Sequence, residues 1–368
     1  MTRSKSGIGG NNGCGRREFL RLVAGAGISV LLPACRGVLP LPSPVPPQQA
    51  KVPTERYKKP GPWRVGRAGL GDLSAWLVML SAHIEYGFKE KYRDSFQEYL
   101  ATSANWDADK QALDIQSLLA EGVDLLLVDP LNSPMVVSAV NRALQSGVPV
   151  VLVSGDLEGA GSASWVTTDE EGRGGQSAAW LTQHVTGGRV LVLQSEPAQG
   201  SQKAWLRGVQ RGLAGRSEVE VEVASCFWLP AEAKAVTHAA LERTPSIAGL
   251  IVNHGTMAQG AVEALVERGL PIPPVAGADD SNGWLRVARQ HNVRFFGLSG
   301  GANLGLRCVE LAIDVLSGRP VSALLYQPTT ALHETDIERL YRPDLTDHYW
   351  AIHELPDRWI EAMFRPPA

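Results

Sequence analysis

Two stretches decide the fold: Met135-Val136-Val137-Ser138-Ala139-Val140-Asn141-Arg142-Ala143-Leu144-Gln145-Ser146-Gly147-Val148-Pro149-Val150-Val151-Leu152-Val153-Ser154-Gly155-Asp156, and the run from Met257 to Ala278 at a constant offset of 122. Met135, Ala139, Val140, Gly147, Pro149, Val153 and Gly155 match Met257, Ala261, Val262, Gly269, Pro271, Val275 and Gly277 without a gap, seven of 22 positions and more than composition alone supplies. Each copy reads as an amphipathic helix, a glycine stop, a proline-led turn and an apolar strand. A unit used twice at this distance predicts two topologically similar lobes.

From Trp63 onward, short β-branched runs alternate with amphipathic stretches. Strands are expected at Arg64 to Ala68, Phe96 to Thr102, Asp124 to Asp129, Val148 to Ser154, Ser164 to Thr168, Arg189 to Gln194, Val219 to Cys226, Gly249 to Asn253, Ile272 to Gly277 and Arg294 to Leu298. Helices fill nearly every gap; Asp107-Ala108-Asp109-Lys110 opens one with acids in its first turn and Gly122 closes it. Ten strands are many for one open sheet, so the fold class is α/β with two similar doubly wound parallel-sheet lobes. Ligands of such sheets sit beyond the carboxyl ends of the strands, and two facing lobes make a cleft there.

The composition fits a soluble globular body: 368 residues, 44% hydrophobic and 20% charged, with 35 basic against 38 acidic residues. No strong positive field exists to hold a nucleic-acid backbone, so nucleic acid is not an expected partner. The apolar run Leu22 to Leu32 is too short to span about 30 Å of hydrocarbon. It follows Arg16-Arg17-Glu18-Phe19-Leu20 and ends in Leu32-Pro33-Ala34-Cys35, the order of a secretory signal. Paired Arg16 and Arg17 resemble a twin-arginine export signal, and Leu-x-Ala-Cys resembles a lipobox in which Cys35 becomes the lipidated first residue; the alternative is a frayed tail with chance arginines and a free Cys35.

Removing residues 1–34 takes away five basic residues and one acidic one, leaving 30 against 37, a net charge of −7. Residues 36–62 hold eight of the 24 prolines, so 35–62 is expected to be a semi-extended tether, with folding beginning near Trp63. Cys226 and Cys308 have no metal-ligand spacing, and two buried free thiols are the favoured reading over a disulfide. No metal and no cofactor are expected.

The chain resembles the type I periplasmic binding proteins of sugar ABC transporters, in their ribose-binding branch. The residues that carry the resemblance are the run Gln111 to Asp124, then Asp129-Pro130-Leu131-Asn132-Ser133, the Gly147-Val148-Pro149-Val150-Val151 turn, Val166-Thr167-Thr168-Asp169 before a helix with Gly172, Gly277-Ala278-Asp279-Asp280-Ser281-Asn282-Gly283-Trp284-Leu285, and Ser74-Ala75-Trp76. The likeness covers about Trp63 to Leu340. It implies two lobes joined by a three-crossing hinge near Asp169, Ser299 and Gln327. One lobe would be 63–168 plus 300–326 and the other 169–299 plus 327–350, with 351–368 a tail that packs back on a lobe. It further implies a monomeric binding protein with no catalysis, holding a sugar, polyol or related solute and serving a membrane permease or, alternatively, a sensor kinase.

A sugar site needs carboxylates, amides and aromatic faces. Strand ends supply Asn105 with Trp106, Asn132, Asp156, and Asp279 with Asp280, and Trp76 sits at the mouth of the first strand. Three positions depart from the ribose-binding pattern. Trp205 replaces a basic residue, His254 with Gly255 replaces an Asn-Asp pair, and Ser299 replaces a Gln. The candidate ligand set is therefore Trp76, Asn105, Asn132, Asp156, Trp205, His254, Asp279 and Ser299. Each also fits a structural role: Trp76 and Trp205 as core, the Asp and Asn residues as caps or turn formers, His254 as a neutral surface histidine.

Gly297-Leu298-Ser299-Gly300-Gly301 has the G-x-S-x-G spacing of a nucleophile elbow, but only 67 residues follow and they contain one clear helix, Asn303 to Leu316. It reads better as a glycine-rich hinge. A sugar-responsive repressor would carry a helix-turn-helix where this chain has its export signal.

Overall fold

Gly147 and Gly269, matched in the internal repeat, adopt φ of +85° and +64°, the left-handed conformation that stops a helix without steric cost. In the computed structural model, which describes residues 51–195 and 200–366, each of these glycines lies between a helix and a buried strand. Arg16, Arg17, Cys35 and the first part of the expected tether lie outside the described residues.

In chain order the elements are β1 (Lys51–Val52), β2 (Trp63–Gly69), α1 (Ala75–Tyr86), β3 (Phe96–Ser103), α2 (Ala108–Ala120), β4 (Leu125–Val128), α3 (Pro134–Gln145), β5 (Val150–Val153) and β6 (Ser164–Thr167). Then come α4 (Glu170–Leu181), β7 (Gly188–Gln194), α5 (Gly200–Leu213), β8 (Val219–Ser225), α6 (Pro230–Arg243), β9 (Gly249–Val252), α7 (Gly255–Glu267), β10 (Val275–Ala278), α8 (Asn282–Gln290) and β11 (Phe295–Ser299). The chain closes with α9 (Leu304–Leu316), β12 (Val321–Ser322), β13 (Leu324–Tyr326), β14 (Thr330–His333), α10 (Ile337–Leu340) and α11 (Asp357–Phe364).

Two six-stranded sheets result, ordered β13-β6-β5-β4-β2-β3 and β14-β11-β10-β9-β7-β8. The first is wholly parallel; in the second only β14 runs antiparallel, against β11. All ten expected strands form, and the fold is the expected pair of parallel-sheet α/β lobes. Their apolar runs follow from helices on both faces. Leu125 and Leu127 point into the cluster under α1 and α9, while Leu126 and Val128 point into the one under α2 and α3. In the second lobe Leu191 and Leu193 face α6, α7 and α8, and Val190 and Val192 face α4 and α5.

Local signals set the helix ends. The Asp107 carboxylate accepts the Lys110 N–H at 3.0 Å to start α2, and Ser133 caps α3 with Pro134 in its first turn. Cys226 and Cys308 are both buried and unpaired.

Two boundaries differ from the sequence reading. The expected tether 35–62 ends earlier, because Lys51 and Val52 pair with Ser322 and Val321, and Tyr57 is buried in the first lobe's core. An apolar contact and a two-residue bridge are too short to leave a periodic signal. The chain after α10 belongs to neither lobe alone. On the second lobe, Asn282 Nδ2 donates to the carbonyls of Arg342, Leu345 and Thr346, and Arg286 pairs with Asp347 at 2.7 Å. On the first lobe, Leu345, Tyr349, Trp350, Leu355, Ile360 and Phe364 join the core cluster of α1 and α9. His83 Nε2 accepts the Glu354 N–H at 3.1 Å, and Trp359 Nε1 donates to Glu90 at 2.9 Å.

Candidate functional site

The carboxyl ends of both sheets converge on a chamber of about 110 Å³. From the first lobe come Leu70, Ser74, Trp76, Leu77, Trp106, Ser154, Thr167 and Thr168; from the second come Glu170, Ser201, Gln202, Trp228, Asn253 and His254, with Gly300 at the crossing between them. A smaller recess of about 50 Å³ continues from it through Leu70, Leu77, Ser154 and Ser201 to Asp156, Asp129 and Gly200. A larger groove of about 690 Å³ lies on the second lobe between α8 and α10. Both of its arginines are already paired, Arg289 with Glu338 and Arg286 with Asp347, so it is a weaker candidate than the cleft.

The chamber's polar groups are held by partners behind them. Gln202 Nε2 and Trp228 Nε1 both donate to Asn253 Oδ1 at 3.2 Å, which leaves the Asn253 amide hydrogens for the cleft. The Thr168 hydroxyl donates to Glu170, and Arg173 Nη1 meets both Glu170 oxygens at 2.9 and 3.0 Å. Arg173 Nη2 also donates to the Leu298 carbonyl, so one guanidinium ties the cleft carboxylate to the strand that ends at a crossing.

His254 sits 3.3 Å from Thr256 Oγ1 through Nδ1. The single Thr256 hydroxyl hydrogen is committed to the Trp228 carbonyl at 2.8 Å, so Oγ1 accepts and Nδ1 carries the proton. Nε2 is then the acceptor this ring offers to the cleft. Burial pushes the imidazole down to about 3, helped by the positive charge of Arg173. With the ring neutral, its 3.5 Å approach to Asp279 Oδ2 is a polar contact and not an ion pair. Burial pushes Asp279 up to about 7, against the pull of Arg173 and the Gly255 N–H. Asp280 is likewise pushed up to about 7 by burial, and then by the neighbouring charge of Asp279.

Of the residues singled out from sequence, Trp76 and His254 line the chamber and Asp156 lines the recess. Asp156 also abuts Gly200 at the start of α5 in the opposite lobe, where a Cβ would collide with its carboxylate. Asp279 and Ser299 lie one layer behind: Asp279 accepts the Gly255 N–H under His254, and Ser299, 1% exposed, accepts the Gly301 N–H at 3.4 Å. Asn105 is exposed at φ of +51° and accepts the Ser103 hydroxyl hydrogen, a turn role. Asn132 is exposed and precedes the Ser133 cap of α3.

Trp205 is corrected outright. Its indole is 1% exposed within the cluster formed by Val190, Val192, Val209 and Ile251. Gly174 and Gly208 let α4 and α5 approach until a Cβ at either would strike the other helix's backbone, and that contact turns Trp205 toward the sheet. Trp106, Trp228, Asn253, Gln202 and Glu170 line the chamber but were not in the candidate set. The strand-end rule could have found Asn253, beside His254, and Trp228, just past the strand ending at Cys226.

The periplasmic binding protein domain family matches residues 81–320. The ribose import binding protein of Bacillus subtilis is 26% identical over 302 residues, 82% of this chain and 96% of that protein. A solute-binding protein of an ABC transporter from Mycobacterium smegmatis, solved with bound glycerol, superposes with a TM-score of 0.68 at 20% identity, covering 77% of this chain and 98% of that one. The Caulobacter myo-inositol binding protein gives 0.67 at 20% identity, covering 77% and 97%. With the family matched over more than half its length and the two parallel-sheet lobes in place, the chain belongs to the periplasmic binding proteins, in their type I branch.

Proposed function

We propose that this protein captures a small polyhydroxylated solute, a sugar or polyol, between its lobes and delivers it to an ABC permease. The observation that carries the reading is the chamber itself. Three indoles, Trp76, Trp106 and Trp228, wall a space into which Asn253 offers donors and His254 and Glu170 offer acceptors. Hydroxyls both donate and accept, and the C–H faces of a sugar ring stack on indole, so this mixture suits a polyol.

The named binding of relatives supports the same solute class, and their description as import proteins favours transport over a sensory role. In this reading Trp76 and Trp228 stack on the ligand, Asn253, His254 and Glu170 bond its hydroxyls, and Asp156 closes the far end. The lobes pivot where the chain crosses between sheets, near Asp169, Ser299 and Gln327. Arg16, Arg17 and Cys35 would export the protein and anchor it by lipid, with the body acting as a monomer and no covalent chemistry.

The test is isothermal titration calorimetry against pentoses, hexoses and cyclitols. A dissociation constant in the micromolar range, about −8 kcal/mol, is expected for at least one sugar or polyol. Absence of heat across that panel with folded protein would remove the solute class.

A further inference from the structure

We propose that the ligand is a glycoside rather than a free sugar: a polyol head in the inner chamber carrying an apolar substituent that lies in an adjoining vestibule. This rests on the sugar-binding reading above and narrows it.

The vestibule has a volume of about 440 Å³ and is walled by Leu73, Trp106, Phe227, Trp228 and Leu229. Leu73, Phe227 and Leu229 are 61%, 46% and 45% exposed, unusual for large apolar side chains grouped at one place. Leu73 comes from the first lobe, Phe227 and Leu229 from the second, so closing the lobes is what builds the vestibule. Among the described residues its one charged member, Glu232, has Oε2 engaged by the Phe227 N–H at 2.9 Å.

Three observations assign the occupant. The vestibule adjoins the chamber, with Ser74, Trp106 and Trp228 lining both and the indole pair standing at their junction. The chamber's 110 Å³ is below the roughly 300–1,000 Å³ of small-molecule sites, whereas chamber and vestibule together fall within it. Trp106, whose ring lines both spaces, carries a buried Nε1–H that has no partner among the described residues, and the bridging oxygen of a glycoside at that junction would supply an acceptor.

The experiment titrates the protein with D-ribose, D-xylose, D-glucose and D-galactose, each against its phenyl β-glycoside. For the sugar that fits, the phenyl glycoside should bind at least about tenfold tighter, from the apolar area it buries. Phe227→Ser with Leu229→Ser should abolish that gain and leave the free sugar's affinity unchanged; Leu73→Ser should reduce it from the opposite lobe. A glycoside that binds where its free sugar does not counts in the same direction. Equal or weaker binding of the phenyl glycoside overturns the inference while leaving the sugar reading intact, and assigns the apolar rim to contact with a protein instead. A gain that survives in both variants also overturns it. If neither free sugars nor glycosides bind, the sugar reading itself has failed, and this one with it.

Discussion

The indoles of Trp106 and Trp228 meet across the two lobes with ring centroids 5.8 Å apart and planes tilted by 44°. One follows β3 and the other follows β8, so the pair exists only while the lobes are together. Trp228 is also tied to Asn253 through its N–H. Trp228→Ala is therefore expected to weaken solute binding by at least about tenfold, by removing a wall and releasing Asn253 together. Trp228→Phe keeps the wall and loses only the N–H, and should fall between. Calorimetry on both variants checks the order, and a melting temperature within a few degrees of wild type shows that the half-buried ring is not structural.

Arg173→Ala should be costly in both senses. It leaves Glu170 without the cation that meets both its oxygens and strips the Leu298 carbonyl of its donor. Breaking a buried pair of this kind typically costs about 3 kcal/mol. Urea unfolding reads the stability loss, and titration of the surviving folded protein should show weakened binding. Unchanged affinity would place Glu170 outside the ligand's reach.

Protonation effects of two signs meet in this molecule. Asp279 and Asp280, raised to about 7 in the folded state, contribute stability that is full below their unfolded value near 4 and lost as pH rises through 7. His254 and His83, lowered by burial to about 3 and about 4, contribute stability that is full above their unfolded value of about 6.5 and lost as pH falls toward 4. Between pH 4 and 6.5 these slopes oppose each other. Asp280→Asn removes one acidic contribution, so the variant should gain on wild type as pH is raised from 4.5 to 7.5, by something of order 2 kcal/mol. Urea midpoints at the two pH values test this; a difference that does not change with pH would refute it.

Asn282 is the anchor of segment 341–366 on the second lobe. It is 1% exposed, its amide reaches three carbonyls, and its Oδ1 accepts the Arg342 N–H at 3.0 Å. Asn282→Ala should cost about 3 kcal/mol, because several buried backbone groups lose their partner at once. Arg289→Ala, which removes an exposed pair with Glu338, should change stability by less than about 1 kcal/mol. Denaturant titrations of the two variants give the comparison directly.

The fold was legible because its central strands are buried on both faces and therefore read as unbroken apolar runs, Leu125–Val128 and Val150–Val153 above all. The short strands β1, β12, β13 and β14 left no such trace, since two to four residues at a sheet margin owe their conformation to their neighbours. At the site, strand ends pointed to His254 and Asp156, yet could not rank Asn105 against its neighbour Trp106. A single-residue step past a strand reverses which side chain faces the cleft. Helical periodicity likewise shows that Trp205 is on an apolar face without showing that the face meets a sheet. Gln202 carries no distinctive spacing, and its place follows only from the packing of α5 against β9.

Segment 341–366 also bears on how the chain reaches its structure. The bond between His83 and Glu354 closes a loop of 271 positions, and that between Glu90 and Trp359 one of 269. Most strands of each sheet can condense from neighbouring β-α units before those partners are synthesised, with only β13 and β14 joining late, since local contacts form first and distant ones carry the larger closure entropy. α1 is then one of the first helices made and among the last to be covered. During biosynthesis its outer face waits for an aromatic cover supplied by Tyr349, Trp350 and Phe364. A nascent chain is thus two nearly finished lobes whose exposed seam invites chaperones or self-association until the late segment arrives, and a message truncated after α10 would leave that seam open for good.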